Sequence, residues 1–363
     1  DMDTFMREWL ALYESKSGER GIFNRKSAIK QASKNGRRDV EQEFGCNPCS
    51  EIILRPYQFC NLTEVVVRES DTEETLIQKV KLATILGTYQ STLTDFKYLR
   101  KIWKDNTEEE RLLGVSLTGI MDNALLSGKS PRIGNNIEGL LTKLRETAVE
   151  TNRKVSAKLG IPQSTAVTTV KPSGTVSQLV DSASGIHARH NPHYIRTVRG
   201  DNKDPLTQFM VAQGIPSEPD VMKPQSTTVF SFPMQAPSTA VFRQDMTAIE
   251  QLNIWLKYQT YWCEHKPSVT ISVKEHEWLE VGAWVYEHFD EVSGISFLPF
   301  SEHTYKQAPY QDCTEVEYKD MLSKMPKGID WRALSEFEKE DTTSGSRELA
   351  CTAGVCEVVD ISA

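Results

Sequence analysis

The sequence predicts an α/β protein with mainly parallel strands. Strand-like and helix-like segments alternate along the chain, which is the pattern of strands connected by crossover helices. The strand-like runs are short, apolar and β-branched, as in Ala166-Val167-Thr168-Thr169-Val170. Hydrophobic residues make up 39% and charged residues 25% of 363 residues, enough to bury a core of one large or two ordinary domains.

The elements follow in order. The opening residues read as helix (Phe5, Leu10, Leu12, Tyr13), and a start at Asp1 inside a helical pattern reads as a cut or engineered boundary. Residues 1–44 are polar and basic, punctuated by Ser17-Gly18-Glu19-Arg20-Gly21 and Asn35-Gly36. Gly45-Cys46-Asn47-Pro48-Cys49-Ser50-Glu51-Ile52 marks a loop at the end of a buried strand. Residues 61–67 read as a strand. Residues 72–103 read as helices, with Leu76, Ile77, Val80, Ala83 and Leu86 on one face and Asp71 with Glu74 as the capping pair. A helix is predicted over 137–159, a strand over 166–170, and a helix after Lys171-Pro172-Ser173-Gly174-Thr175. Strands are predicted at 227–232, 268–273 and 294–300, with helices at 247–264 and 274–289. From about residue 339 the chain reads as a loose polar tail that carries Cys351 and Cys356. The predicted domains are therefore 1–338 and 339–363.

Composition excludes several functions. A net charge of −8, from 42 basic and 50 acidic residues, argues against a basic face for nucleic acid. No apolar run approaches the ~20 residues that a membrane helix needs. Seven cysteines at uneven spacing do not form a secreted disulfide framework. Clusters of this kind fit a reducing, cytoplasmic setting, where they mean redox work, metal binding or neither.

Chemistry concentrates in a few places. In an extended segment Asn47, Cys49 and Glu51 point to one side, so a carboxamide, a thiol and a carboxylate converge. Such a trio can bind a diol, take a proton and offer a reactive sulfur; a plain surface loop is the alternative. Cys46 and Cys49 also read as a CxxC pair for thiol–disulfide exchange or half a zinc site, but no second CxxC exists to complete four ligands. Cys60 is either a core cysteine or half of an active-site dithiol. Pro172, Ser173, Gly174, Thr175, Val176 and Ser177 suit a phosphate held by backbone N–H groups, or else a simple helix cap. His187, His190 and His193 are spaced by three, but Pro192 argues against a regular helix there. They read as core or supporting histidines rather than as metal ligands.

These segments together resemble the class II, adenosylcobalamin-dependent ribonucleotide reductases, in particular the monomeric ribonucleoside-triphosphate reductases. The matching pieces are Gly18-Glu-Arg-Gly-Ile-Phe-Asn-Arg25, Asn47-Pro-Cys-Ser-Glu-Ile52, Phe59-Cys-Asn-Leu-Thr-Glu-Val65, Lys171-Pro-Ser-Gly-Thr-Val-Ser177, Ser184-Gly-Ile-His187 and the Cys351/Cys356 pair. They occur in family order. The related class I enzymes carry adjacent tyrosines late in the chain, whereas here Tyr305 and Tyr310 are apart. Class III enzymes end in a glycyl-radical loop, not a dithiol.

The resemblance implies the second half of a ten-stranded α/β barrel with a central finger loop, plus a flexible redox tail. It implies Cys49 as the thiyl-radical residue, Glu51 as general base, Asn47 as substrate-orienting residue and Cys60 as half of the reducing dithiol. The 172–177 segment would bind the substrate phosphates, and Cys351 with Cys356 would shuttle electrons from thioredoxin or a similar reductant. The implied cofactor is adenosylcobalamin, the substrate a ribonucleotide (a triphosphate by preference), and the partner an amino-terminal half. A non-catalytic barrel-half subunit and a thiol–disulfide oxidoreductase are the alternatives.

Overall fold

The structure is a computed structural model that describes residues 1–18, 20–129, 136–300 and 306–339. The predicted tail, with Cys351 and Cys356, lies outside the described residues, as does Tyr305. The strands are β1 (Gly21–Ile22), β2 (Gly45–Cys46), β3 (Ile53–Leu54), β4 (Asn61–Val66), β5 (Leu113–Thr118), β6 (His193–Asp201), β7 (Ser217–Pro219), β8 (Thr227–Gln235), β9 (Thr270–Val273), β10 (Ile295–Pro299) and β11 (Tyr310–Asp312). The helices that matter here are α1 (Met2–Ser15), α2 (Glu73–Gln90), α3 (Lys101–Glu110), α4 (Ile137–Leu159), α5 (Val176–Leu179), α6 (Ala248–Lys257) and α7 (Trp278–Glu287).

The chain divides into two compact units, Asp1–Arg189 with Thr239–Phe300, and His190–Ser238 with Ser301–Ala363. The first unit contains a parallel ribbon. β4 pairs with β5 from Asn61↔Leu113 to Val66↔Thr118. β5 in turn bonds the 166–169 segment: Leu113 N–H to Ala166 O at 3.0 Å, Val115 N–H to Val167 O at 2.8 Å, and Thr169 N–H back to Val115 O at 3.0 Å. That segment continues onto 265–268 through a parallel bridge, Val170↔Pro267. β9 then pairs parallel with β10, and β1 closes the far edge antiparallel at Gly21↔Ser296. Residues 166–170 thus take the strand position that their β-branched run predicts, although their pairing is only bridge-like.

Helices fill the crossovers and cover the ribbon. α4 keeps the predicted bounds because both ends are marked: Asn136 caps the Gly139 N–H at 3.3 Å, and Gly160 takes the left-handed conformation at φ 67°. Its buried face, Leu140, Leu141, Leu144 and Ala148, joins the main core with Val115, Val167 and Trp262. The 72–103 region is not continuous helix; it breaks between α2 and α3. The cap of α2 is Thr72 with Thr75, one residue beyond the Asp71 and Glu74 pair that the sequence suggested.

The second unit is organised differently. Its sheet runs in the order β11-β6-β8-β7, all antiparallel. The expectation of mainly parallel strands holds for the first unit only. β6, His-Tyr-Ile-Arg-Thr-Val-Arg-Gly-Asp, escaped the sequence reading because a sheet with one wet face needs only half its residues apolar. Among the described residues no helix is long and apolar enough to cross a membrane.

Candidate active site at a hairpin tip

β2 and β3 pair antiparallel, Gly45↔Leu54 and Cys46↔Ile53, and residues 47–52 form the tip between them. Pro48 and the left-handed Ser50 (φ 66°) turn the chain. The tip ties itself together: Asn47 O accepts from Ser50 N–H at 2.8 Å, and Asn47 Oδ1 accepts from Ile52 N–H at 3.0 Å. Cys49 is half-buried there, and its carbonyl accepts from Ser268 Oγ at 2.6 Å.

The hairpin root is clamped separately. Arg38, before the hairpin, and Gln58, after it, both bond Glu110 at the end of α3. Arg38 Nε and Nη2 reach the two carboxylate oxygens at 3.0 and 2.9 Å, and Gln58 Nε2 donates to Oε2. Both charged side chains are almost fully buried.

At the tip, Glu51 is completely buried. Its carbonyl accepts from Lys266 N–H and from Thr169 Oγ1, each at 3.1 Å. Its Oε1 meets Lys171 Nζ at 3.1 Å. Its Oε2 is buried without a partner among the described residues. Burial alone would lower the Lys171 ammonium, but the Glu51 carboxylate, with Cys49 and Glu64 nearby, holds it above its ordinary value.

Cys60 precedes β4 and lies within the field of Glu51. Desolvation, reinforced by that carboxylate, pushes its thiol well up, so it stays protonated. Glu64, two alternations along the same face of β4, accepts from Ser173 Oγ at 2.9 Å. Burial pushes Glu64 above the usual carboxylate range against the pull of Ser173 and Lys171.

The 172–177 segment divides into an inward and an outward part. Ser173 and Ser177 are buried and bond each other, with Ser177 N–H on Ser173 Oγ at 3.1 Å and Ser177 Oγ donating to Ser173 O. Gly174 N–H is taken by Pro172 O at 3.0 Å. Thr175 and Val176 are exposed, at the start of a helix of one turn, α5, which no side chain caps. The predicted helix after Thr175 is present as this single turn, and the chain leaves it at Asp181, φ 47°.

Lys266 is a residue that sequence reasoning missed. It is fully buried, donates to Ser50 Oγ at 2.6 Å, and lies 4.7 Å from the centre of the Phe23 ring. Burial lowers its ammonium to about 8, with Cys46 and Glu51 opposing. His265 beside it bridges hairpin and ribbon: Nδ1 accepts from Ile53 N–H at 3.3 Å and Nε2 donates to Leu113 O at 3.0 Å. The signal available was a His-Lys pair opening an otherwise apolar strand. Glu64 and Lys171 were likewise visible only as charges inside quoted motifs.

The histidines at 187, 190 and 193 have separate roles. His187 is held by Ser184 O at 3.1 Å and accepts from Thr270 N–H at 3.0 Å. In the second unit His190 pairs with Asp312, and His193 packs at a tilt against Tyr318 with ring centres 4.9 Å apart. Among the described residues no group of three or more His, Cys, Asp or Glu is arranged to hold a metal ion.

No protein-family model matches the chain. The curated relatives include an adenosylcobalamin-dependent ribonucleoside-triphosphate reductase of Euglena gracilis, 28% identical over 81% of this chain and 40% of the relative. Another, bearing the same name, from Lacticaseibacillus paracasei is 27% identical over 96% of this chain and 50% of the relative. A crystal structure of a B-12 dependent (class II) ribonucleotide reductase superposes with a TM-score of 0.75 at 25% identity, over 92% of this chain and 49% of that one. The chain is similar in sequence and in fold to the class II ribonucleotide reductases. It spans half or less of the length of these relatives. The class Id reductase alpha subunit of Actinobacillus ureae matches in fold alone, with a TM-score of 0.53 at 12% identity.

Proposed function

We propose that this chain carries the radical cysteine, the general base and the phosphate segment of an adenosylcobalamin-dependent ribonucleoside-triphosphate reductase, and that it works with an amino-terminal half. The ribbon is then the second half of the ten-stranded barrel, the hairpin is the finger loop, and residues 339–363 are the redox tail. The observation that carries the reading is one chain of contacts: the hairpin-tip carboxylate Glu51, then Lys171, which begins the 171–177 segment, with Glu64 and Ser173 beside it.

Adenosylcobalamin, when bound, supplies a hydrogen-atom acceptor by homolysis of its cobalt–carbon bond. The site fits such a group: Cys49 is half-exposed at a tip whose backbone is anchored from behind by Ser268, so Cys49 is the residue that would meet it. As a thiyl radical, Cys49 takes the ribose 3′-hydrogen. Glu51 Oε2, buried and unpartnered, accepts the 3′-hydroxyl proton. Asn47 has its Oδ1 committed to Ile52, which leaves its amide N–H groups to orient the diol. Cys60, kept as a thiol, protonates the departing 2′-hydroxyl, and with a partner thiol from the amino-terminal half it gives up two electrons and becomes a disulfide. The exposed N–H groups of Thr175 and Val176 face the phosphates, while Pro172, Ser173, Gly174 and Ser177 set the shape of the segment. Cys351 and Cys356 re-reduce the disulfide and are recharged by thioredoxin or a similar reductant.

The test is reconstitution with the amino-terminal half, adenosylcobalamin and a dithiol, under anaerobic conditions. Deoxynucleotide forms, Cys49→Ser abolishes it, and Cys46→Ser is tolerated. Absence of product from two halves shown to associate overturns the reading in favour of a non-catalytic subunit. Loss of activity in Cys46→Ser, with disulfide exchange by the chain alone, favours an oxidoreductase instead.

A further inference from the structure

We propose that Lys171 is the positioning residue for the Glu51 carboxylate: it occupies Oε1 and thereby presents Oε2 to the substrate hydroxyl. The proposal deepens the reductase reading and rests on it for the identity of that hydroxyl.

Glu51 is fixed from its backbone outward. Lys266 N–H and Thr169 Oγ1 hold its carbonyl, which fixes the backbone from which the side chain starts. The side chain is completely buried, and Lys171 Nζ at 3.1 Å is the cation it meets. Its second oxygen has no partner among the described residues. A buried carboxylate oxygen without a donor is costly unless another molecule completes it. The geometry therefore divides the carboxylate into a held oxygen and a working one.

Lys171 is itself well placed to act as a fixed point. Its N–H donates to Ser116 Oγ at 2.8 Å, on β5. On its other side a β-carbon added at Gly185 would stand 2.4 Å from its carbonyl oxygen, so only glycine lets that strand end approach. Its side chain is about one-third exposed, reaching from the ribbon towards the tip. The next residue, Pro172, begins the segment assigned to the phosphates. One rigid stretch thus ties the phosphate seat to the base, and fixes their separation.

The chemistry requires both effects of the ammonium. In the step that Glu51 serves, the O–H bond of the ribose hydroxyl breaks and its proton goes onto Oε2. This demands an ionised carboxylate at the start and a fixed direction of approach. Without Lys171 the buried carboxylate loses the cation bonded to its Oε1, and the field of Lys266 alone does not set the direction of Oε2. Arginine retains the charge; methionine retains the stem alone.

The first experiment uses the chain itself and needs no turnover. Infrared difference spectra at one pH follow the carboxylate stretching band that Glu51→Gln removes. In Lys171→Met and Lys171→Gln that band shifts in frequency because Oε1 has lost its donor, and Lys171→Arg returns it close to the parent position. Circular dichroism checks that each variant is folded, and the glutamine variant serves if the methionine variant is not. An unchanged band in both neutral variants overturns the proposal. The second experiment uses the reconstituted holoenzyme. Lys171→Met lowers kcat by about a hundredfold with KM for the nucleotide nearly unchanged, a loss of the size expected for a displaced base. A raised KM with unchanged kcat overturns the proposal and makes Lys171 a phosphate ligand. The infrared result stands or falls independently of whether the chain is a reductase.

Discussion

Lys266 Nζ donates to Ser50 Oγ across 2.6 Å, and Ser50 is the left-handed residue that turns the hairpin tip next to Cys49. A fully buried ammonium is an expensive way to hold a hydroxyl. Its lowering from 10.5 to about 8 corresponds to about 3 kcal/mol of lost stability at neutral pH. Between those values the unfolded chain holds more protons than the folded one, so stability rises with pH across that window. Lys266→Met removes the penalty. It raises the denaturant midpoint at pH 7 by the equivalent of about 1–2 kcal/mol, and flattens the pH dependence between 8 and 10.5. In the reconstituted enzyme the same change lowers turnover about tenfold, because the Cys49 tip loses its anchor. A variant that is less stable at pH 7 contradicts this account.

Gly294→Ala attacks the same contact by shape. The added methyl would lie 2.5 Å from Ser50 Oγ and 2.6 Å from Lys266 Nζ, so the bond between them must open. Lysine is retained, and with it the rise of stability above pH 8. Turnover falls as in Lys266→Met. Wild-type turnover in this variant would show that the Lys266–Ser50 bond does not position the thiol.

His265 makes the fold acid-sensitive. Desolvation lowers its imidazole from 6.5 to about 3, and its two hydrogen bonds use the neutral ring. The folded pKa is the depressed one, so stability is complete above pH 6.5 and is lost as pH falls towards 3. Between pH 6.5 and 5 the loss is about 2 kcal/mol. Urea midpoints measured across that range should fall in the parent chain and remain level in His265→Gln, which keeps one donor and one acceptor.

Glu110 neutralises two arginines at the hairpin root, Arg38 by a bidentate pair and Arg55 at 3.8 Å. Glu110→Ala leaves Arg38 buried without its carboxylate, while Arg55 keeps Glu109 at 3.0 Å, at a cost of about 3–5 kcal/mol. Equilibrium unfolding measures it directly. A cost below about 1 kcal/mol, the level of an exposed pair, would mean that the root is not clamped through this residue.

What the sequence made legible was local. α4 was read at its observed bounds from its amphipathic period, and Asn136 and Gly160 cap those same ends in the structure. Asn47, Cys49 and Glu51 were grouped on the premise of an extended segment, whereas the chain turns at residues 48–50 with Ser50 left-handed, so what brings these residues to one place is the hairpin tip and not strand alternation. The 166–170 run announced a strand through its β-branched residues. Its neighbours on either side, β5 and residues 265–268, could not be inferred from it. Lys171 and Lys266 went unassigned because their partners lie 120 and 216 positions away, and nothing in a lysine's neighbourhood declares a distant carboxylate or hydroxyl. β6 was lost for the opposite reason, since its polar alternate residues look like loop until a second strand dries one face.

The parallel ribbon has a consequence for the order in which the protein takes shape. Its ladders join segments far apart in the chain, from residue 61 to residue 299. Parallel pairings of such separation form slowly, because the loop between them must close first. The hairpin around Cys49 is short and can appear early, yet Ser268, Lys266 and Thr169 reach it only when the later segments have docked. A half-folded chain therefore exposes an unguarded thiol. Its alkylation during refolding times the arrival of the last strands: protection of Cys49 should lag behind the appearance of helix.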